Sequence, residues 1–390
     1  MSAVKTYDIA AYGQMIADGQ RMNAYLDALR SVVRPGCVVV DIGAGTGIFT
    51  LAACKLGAQR VYAIEPGDSL EIARESVRAN GFDGRVVFVK ALSTDFELVD
   101  RKADVVVADI RGVLPFFQAN IAAMADARRR LLAPAGALIP SRDVVWIAPV
   151  ESPQLYECYD KPWLDRPMGL DISAGRRFAI NTWRKVRIQP HELAGAPQRF
   201  AQIDYACAES PDARAELSWT ADSARTCHGL LMWFDATLCE GAGFSNAPGA
   251  GESIYGQAFF PLELPLELQA ERELRAEVSA RFLAGEYVWT WEVSTWDNGR
   301  RIGGSRQSTF LGNPLDAEQV AACHPGYTPQ LTRSMEIDRT ALSMVDGVAT
   351  AQQIADRLQR EFPENLDEAK ARDRVVELVR GHPAHVRHRY

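Results

Sequence analysis

Asp41-Ile-Gly43-Ala-Gly45-Thr-Gly47 carries the clearest chemical meaning in this 390-residue chain. Glycines at alternate positions let a backbone approach a ligand closely, and a helix opening just after them offers free N–H groups. Asp41, two residues ahead of the first glycine, narrows the ligand. A carboxylate there repels a pyrophosphate but holds an ammonium, directly or through water. The G-x-G-x-G spacing also differs from the G-x-G-x-x-G of dinucleotide sites. Glu65 ends the next apolar run, a place where an acid accepts both hydroxyls of a ribose. S-adenosylmethionine has an α-amino group, a ribose and no phosphate, and fits this set. A dinucleotide loop or a plain structural turn is the alternative.

The surrounding sequence supplies elements to position these groups. Val38-Val39-Val40 leads into the glycine loop, and residues 48–56 follow as a helix. Val61-Tyr62-Ala63-Ile64, residues 86–89 and Val105-Val106-Val107 are further β-branched or apolar runs, separated by helical spacing over 69–80 and 120–132. A strand begins at Ala137, after Pro134 and Gly136 stop the last helix. Such alternation predicts a parallel sheet wound with helices on both faces, over residues 1–141. Residues 142–312 hold short segments rich in Trp, Phe and β-branched residues with turns at Gly and Pro, which predicts an antiparallel β domain. Residues 162–188 interrupt it. Residues 313–330 read as a linker and 331–390 as a small helical module.

Composition excludes several classes. A hydrophobic share of 47%, a charged share of 24% and a net charge of −7 suit a globular protein and argue against blanket binding of nucleic acid. No signal peptide and no apolar run of membrane length is visible. The seven cysteines are scattered without C-x-x-C spacing, so reduced thiols of a cytoplasmic protein are expected, with no metal site. His382, His385 and His388 stand with Arg387 and Arg389 in what reads as a tail.

With its flanks, the glycine loop resembles motif I of class I methyltransferases, and more narrowly the protein arginine methyltransferase family. Met15-Ile-Ala-Asp18-Gly-Gln-Arg21-Met-Asn-Ala-Tyr25 resembles that family's N-terminal helix. Tyr159-Asp-Lys-Pro-Trp163 and Met168-Gly169-Leu-Asp171-Ile-Ser173 resemble the start of its dimerisation arm. Trp233-Phe234-Asp235 and Phe244-Ser245-Asn-Ala-Pro248 resemble its β-barrel. The resemblance spans about residues 7–312. It implies a Rossmann-type methyltransferase domain, a β-barrel, a homodimer made by the arm at about 162–188, and S-adenosylmethionine as cofactor. By the same resemblance, Arg21 pairs with the cofactor's carboxylate, Gly43, Gly45 and Gly47 shape its methionine end, and Glu65 holds the ribose. The adenine-side acid falls near Thr94 and Asp95, with Thr94 in the position itself.

The acceptor side departs from the family. Two glutamates grip the guanidinium there, by planar bidentate pairing. Their places are held here by Asp109, one methylene shorter, and Gln118, uncharged; Arg111 adds a cation to the loop, and Ser253-Ile254-Tyr255 replaces a Thr-His-Trp signature. Asp109, at a strand end on the ligand edge, can orient an acceptor or take its proton; capping a loop is the other reading. Gln118 and Tyr255 can hydrogen-bond an acceptor. Arg111 can hold an acceptor's carboxylate or pair with Asp109. With the loop's formal charge about zero, the expected acceptor is a nitrogen or oxygen other than arginine's guanidinium, on a peptide or protein side chain or a small molecule. An arginine N-methyltransferase with a remodelled clamp and a cofactor-binding pseudoenzyme scaffold are the alternatives. Beyond residue 330, Thr350 as N-cap of an amphipathic helix after the Gly347 turn resembles the helical half of PqqD-like winged-helix modules, which points to a peptide acceptor; a plain structural helical cap is the alternative.

Overall fold

The computed structural model describes residues 8–98, 101–314, 316–322 and 324–381. The chain divides into two compact units, residues 1–314 and 315–390.

The first unit opens with two helices, α1 (Ile9–Ala17) and α2 (Gly19–Val32), each started by an aspartate that accepts from a backbone N–H three residues on: Asp8 from Ala11 and Asp18 from Arg21. Then strands and helices alternate: β1 (Val38–Ile42), α3 (Ile48–Lys55), β2 (Arg60–Ile64), α4 (Ser69–Ala79), β3 (Val86–Val89), β4 (Ala103–Ala108), α5 (Asn120–Arg130) and β5 (Leu132–Ile139). All pairings in this sheet are parallel, in the order β3-β2-β1-β4-β5. Every residue of β1 is buried, as a strand covered on both faces requires, hence its run of valines. In α4 the buried residues Leu70, Ala73 and Val77 make one stripe facing the sheet.

One boundary differs from the sequence reading. Residues 132–136, expected to close a helix, already belong to β5, which runs through Pro134. β5 is an edge strand, where a missing N–H costs no ladder bond.

From β6 (Arg142–Val150) the unit becomes antiparallel. Helices α6 (Pro153–Leu164) and α7 (Arg176–Ala179) form the insertion, so it begins about nine residues earlier than the sequence reading places it, with Pro162 inside α6. Strands β7 (Arg184–Val186), β8 (Gln198–Asp204), β9 (Ala213–Thr220), β10 (Arg225–Cys239), β11 (Ala242–Ser245), β12 (Gln257–Leu268), β13 (Glu273–Leu283), β14 (Glu286–Asp297) and β15 (Arg300–Ser308) follow. They form two sheets, β7-β12-β10-β6-β8 with β11 on β10, and β15-β14-β13-β9. In β13, Leu274, Ala276, Val278 and Ala280 point inward and alternate with more exposed neighbours, the period of a half-buried strand. The fold is thus the Rossmann-type sheet followed by a β-barrel region that the sequence implied.

The second unit is wholly helical among its described residues: α8 (Ala317–Ala322), α9 (Arg333–Ser343), α10 (Ala351–Glu361) and α11 (Glu368–Gly381). α8 lies within the stretch read as linker. Ile337, Ile354, Leu358, Phe362 and Val375 build its core, and Thr350 and Gln353 cap α10 reciprocally. The strands of a winged helix are not among the described residues. Nor are the tail histidines 382, 385 and 388, or Cys323. The other six cysteines are free thiols. Among the described residues, no helix is long and apolar enough to cross a membrane.

Candidate active site

Sheet register assembles the site. Ile42 of β1 pairs with Ile64 of β2 on one side and Ala108 of β4 on the other. The next residue of each strand therefore leaves the sheet at one level: Gly43, Glu65 and Asp109. The strand order reverses between β1 and β4, so this is the crevice at the carboxyl ends where open parallel sheets bind ligands. A cavity of about 450 Å³ lies there, within the usual range for ligand pockets, roughly 300–1,000 Å³.

One half of the cavity suits a nucleoside with a charged tail. Gly43, Gly45, Thr46 and the first turn of α3 form its floor. Gly45 sits at φ 53°, and a Cβ there would lie 2.6 Å from the Tyr12 ring, so only glycine gives both the turn and the close approach. Tyr12, Met15 and Ile16 of α1 cover the opening. Glu65 is fixed from below, accepting from Gly67 N (2.7 Å) and Gly45 N (3.1 Å), while burial raises its pKa against those two bonds.

Asp41 lies beneath the glycine loop, outside the cavity wall. Its Oδ2 accepts from Thr50 Oγ1 (2.6 Å), and Oδ1 is buried with no partner among the described residues. Burial pushes this carboxyl up to about 7 against the Thr50 bond, and Glu65 adds repulsion. A buried acceptor without a donor beside a loop of left-handed glycines fits an ammonium or the water that carries its charge inward. Thr94 and Asp95 are not brought to the cavity. They sit exposed in a single turn over Ser93–Asp95, whose Ser93 carbonyl is held by Arg130 (2.8 Å), and the wall there is Ala91, Leu92 and Ser93. With Glu65 and the glycines lining the cavity and the unpartnered Asp41 Oδ1 beneath them, the residues present fit S-adenosylmethionine.

The other half is built around Asp109. Its Oδ2 accepts from Arg21 Nε (2.5 Å), and both oxygens lie 2.7 Å from the Tyr255 hydroxyl that donates to them. Arg111 approaches Oδ1 at 3.3 Å but makes its shorter ion pair with Asp143 of β6, at 2.8 Å. Asp143 also accepts from Tyr205 (2.7 Å), and Arg111 donates to Tyr25. Burial works against ionising Asp109, yet Arg21, Arg111 and Tyr255 together hold its carboxyl below the usual carboxylate range. Burial and the Asp109 charge push the Tyr255 hydroxyl far up, so it keeps its proton and serves as donor.

Tyr255 is placed by α2. Asp18, the cap of that helix, accepts from Ser253 Oγ (3.1 Å) and Ile254 N (2.9 Å), pinning the barrel loop against the helix start. Gln118 lines the cavity with φ 43°, a strained left-handed backbone of the kind met at functional sites.

Arg21, expected at the cofactor's carboxylate, lines the cavity and is engaged through Nε with Asp109 and through Nη1 with the Met15 carbonyl (3.0 Å). Arg111 is not brought to the cavity: its side chain is 1% exposed and lies outside the wall. Sequence reasoning missed Tyr12 and Glu286, both of which line the cavity. Nothing in the spacing of a hairpin tip in the barrel marks it as reaching the site.

Residues 22–141 match the ribosomal protein L11 methyltransferase (PrmA) family, and residues 141–285 match the arginine methyltransferase oligomerization subdomain. The chain is similar to probable protein arginine N-methyltransferase 6 of Arabidopsis thaliana, 28% identical over 255 residues, covering 63% of this chain and 57% of that protein. It is 26% identical over 288 residues to protein arginine N-methyltransferase 6 of Xenopus laevis, covering 70% of this chain and 84% of the relative. Its fold is like that of the solved Trypanosoma brucei PRMT1 enzyme-prozyme heterotetrameric complex with AdoHcy, at TM-score 0.70 and 20% identity over 77% of this chain and 98% of that one. Arabidopsis thaliana protein arginine methyltransferase 10 gives TM-score 0.66 at 19% identity, again over 77% and 98%.

These relatives overturn the expectation of a non-arginine acceptor, because they carry arginine N-methyltransferase names. The physical error lay in letting Arg111 neutralise Asp109; Asp143, from a strand outside the loop, is its nearer counter-ion. The chain is a class I S-adenosylmethionine-dependent methyltransferase, similar over both parts of its first unit to the protein arginine methyltransferases.

Proposed function

We propose that this enzyme is an arginine N-methyltransferase with a remodelled clamp, acting on arginine side chains of peptides or proteins. The observation that carries the reading is the ionised Asp109 carboxylate, just after β4, in the wall of the same cavity as Gly43, Gly45 and Glu65. The names of the relatives support it.

S-adenosylmethionine supplies an electrophilic methyl group on a sulfonium. The residues of the chain do the rest. Asp109 faces the acceptor and, kept ionised, orients a guanidinium N–H and takes the proton that leaves the nitrogen as the new N–C bond forms. Tyr255 holds both carboxylate oxygens in one plane, fixing the direction of that contact. Gln118 offers a neutral carbonyl to a second N–H. Arg21, Asp109, Arg111 and Asp143 sum to zero charge; Arg21 turning toward a cofactor carboxylate leaves the remaining three with one negative charge for the incoming cation.

The test compares methyl transfer to an arginine-containing peptide and its lysine counterpart. Transfer to the first alone, lost in Asp109→Ala with cofactor affinity retained, is the expected outcome. Equal transfer to both removes the reading.

The same proposal includes self-association through residues 162–188, whose Leu164, Met168 and Leu170 expose apolar side chains, Met168 to 97%. Deleting that segment should give monomers by sedimentation. The free thiols fit a reducing compartment such as the cytoplasm.

A further inference from the structure

A carboxylate from outside the 109–118 loop, Glu286, also lines the cavity. β13 and β14 pair up to Leu283 and Glu286, leaving Ala284 and Gly285 as a two-residue turn. Both have positive φ, 51° and 92°, the geometry of a tight turn that matches strand twist. Ala284, Gly285 and Glu286 line the cavity together with Phe117 and Gln118.

Among the described residues, four charged ones line the cavity: Arg21, Glu65, Asp109 and Glu286. Arg21 and Asp109 pair with each other, and Glu65 is bound by the Gly45 and Gly67 amides on the cofactor side. Glu286 is exposed and makes no ion pair among the described residues. It is the carboxylate left for a cation arriving from solvent.

We propose that Glu286 is a specificity-determining residue that binds the cationic acceptor, supplying from the barrel the negative charge that Gln118 does not. The inference rests on the arginine reading above and gives it a second anionic contact. An exposed carboxylate acts through a screened field, which sets the size of the effect and gives it a signature. Binding of a fluorescent arginine peptide to the S-adenosylhomocysteine-loaded enzyme should weaken by about threefold to tenfold in Glu286→Gln at low salt. Glu286→Asp should keep part of the wild-type affinity. The difference between wild type and Glu286→Gln should shrink as salt rises toward 0.5 M, on the order of the concentration at which the Debye length falls below a side-chain length. Affinity for the cofactor product should not change. A wild-type preference for arginine over a glutamine-substituted peptide that survives Glu286→Gln intact overturns the assignment of Glu286 alone. A wild-type enzyme with no such preference overturns the arginine reading beneath it.

Discussion

Arg111 Nη1 lies 2.8 Å from Asp143 Oδ1, with both side chains closed to solvent, so the loop after β4 is tied to the first barrel strand by a buried ion pair. Phe234 and Phe244 flank the guanidinium, each ring centroid 5.3 Å away. The pair joins the loop after the parallel-sheet strand β4 to the antiparallel region that carries Tyr255 and Glu286.

Breaking this pair from one side should cost far more than removing it. Arg111→Met leaves Asp143 buried without its cation, a loss of about 3–5 kcal/mol. Arg111→Met with Asp143→Ala should recover most of that, because no buried charge is left uncompensated. Denaturant unfolding of the two single variants and the double variant reads the coupling directly. Additive losses would mean that the pair is not an energetic unit.

Tyr255 should act through Asp109. Tyr255→Phe keeps the ring stacked on Phe244, 5.6 Å between centroids, and removes only the hydroxyl that bridges the two carboxylate oxygens. A hydrogen bond to a charged group is worth about 1.5–3 kcal/mol, so kcat should fall roughly tenfold or more while cofactor affinity holds. The pH profile should move as well: with one of its stabilising partners gone, Asp109 titrates higher. An unchanged kcat and profile would reduce Tyr255 to packing.

The cofactor half is largely legible in the sequence because its determinants are local. Asp41, the three glycines and Glu65 all sit at strand ends, and a parallel sheet brings strand ends together whatever the rest of the chain does. The acceptor half is not. In sequence, Arg111 stands against Asp109, two residues away, while its nearer partner is Asp143, brought in by the pairing of β6 with β10 and β8. Glu286 reaches the cavity because a barrel hairpin is long enough to do so, which no local pattern records. Thr94 and Asp95 follow the cavity wall at Ser93 but do not line it; they sit exposed in a single helical turn whose Ser93 carbonyl Arg130 holds.

Asp41 should make stability depend on pH. Its folded pKa of about 7 lies above the ordinary 3.8, so between these values the folded protein binds a proton that the unfolded chain releases. Stability therefore falls as pH rises from about 4 to 7, by about 1.4 kcal/mol per pH unit at most, and levels off above. In Asp41→Asn that part of the slope should vanish, and the difference in Tm between pH 5 and pH 8 should narrow. A cofactor ammonium favours the ionised form, so binding should release a proton below pH 7. Identical pH–Tm curves for the two proteins would remove Asp41 as the titrating group.

If the methyl group goes to the guanidinium of arginine, a labelled methyl must be found there. The enzyme is incubated with S-adenosylmethionine carrying a deuterated methyl group and a cell extract, and the digested proteins are read by tandem mass spectrometry. The label should lie on arginine side chains and be absent when Asp109→Ala replaces the wild-type enzyme; that is the arginine reading. Label on histidine, asparagine, a hydroxyl or a carboxylate, or no label from an enzyme that binds its cofactor, would contradict it.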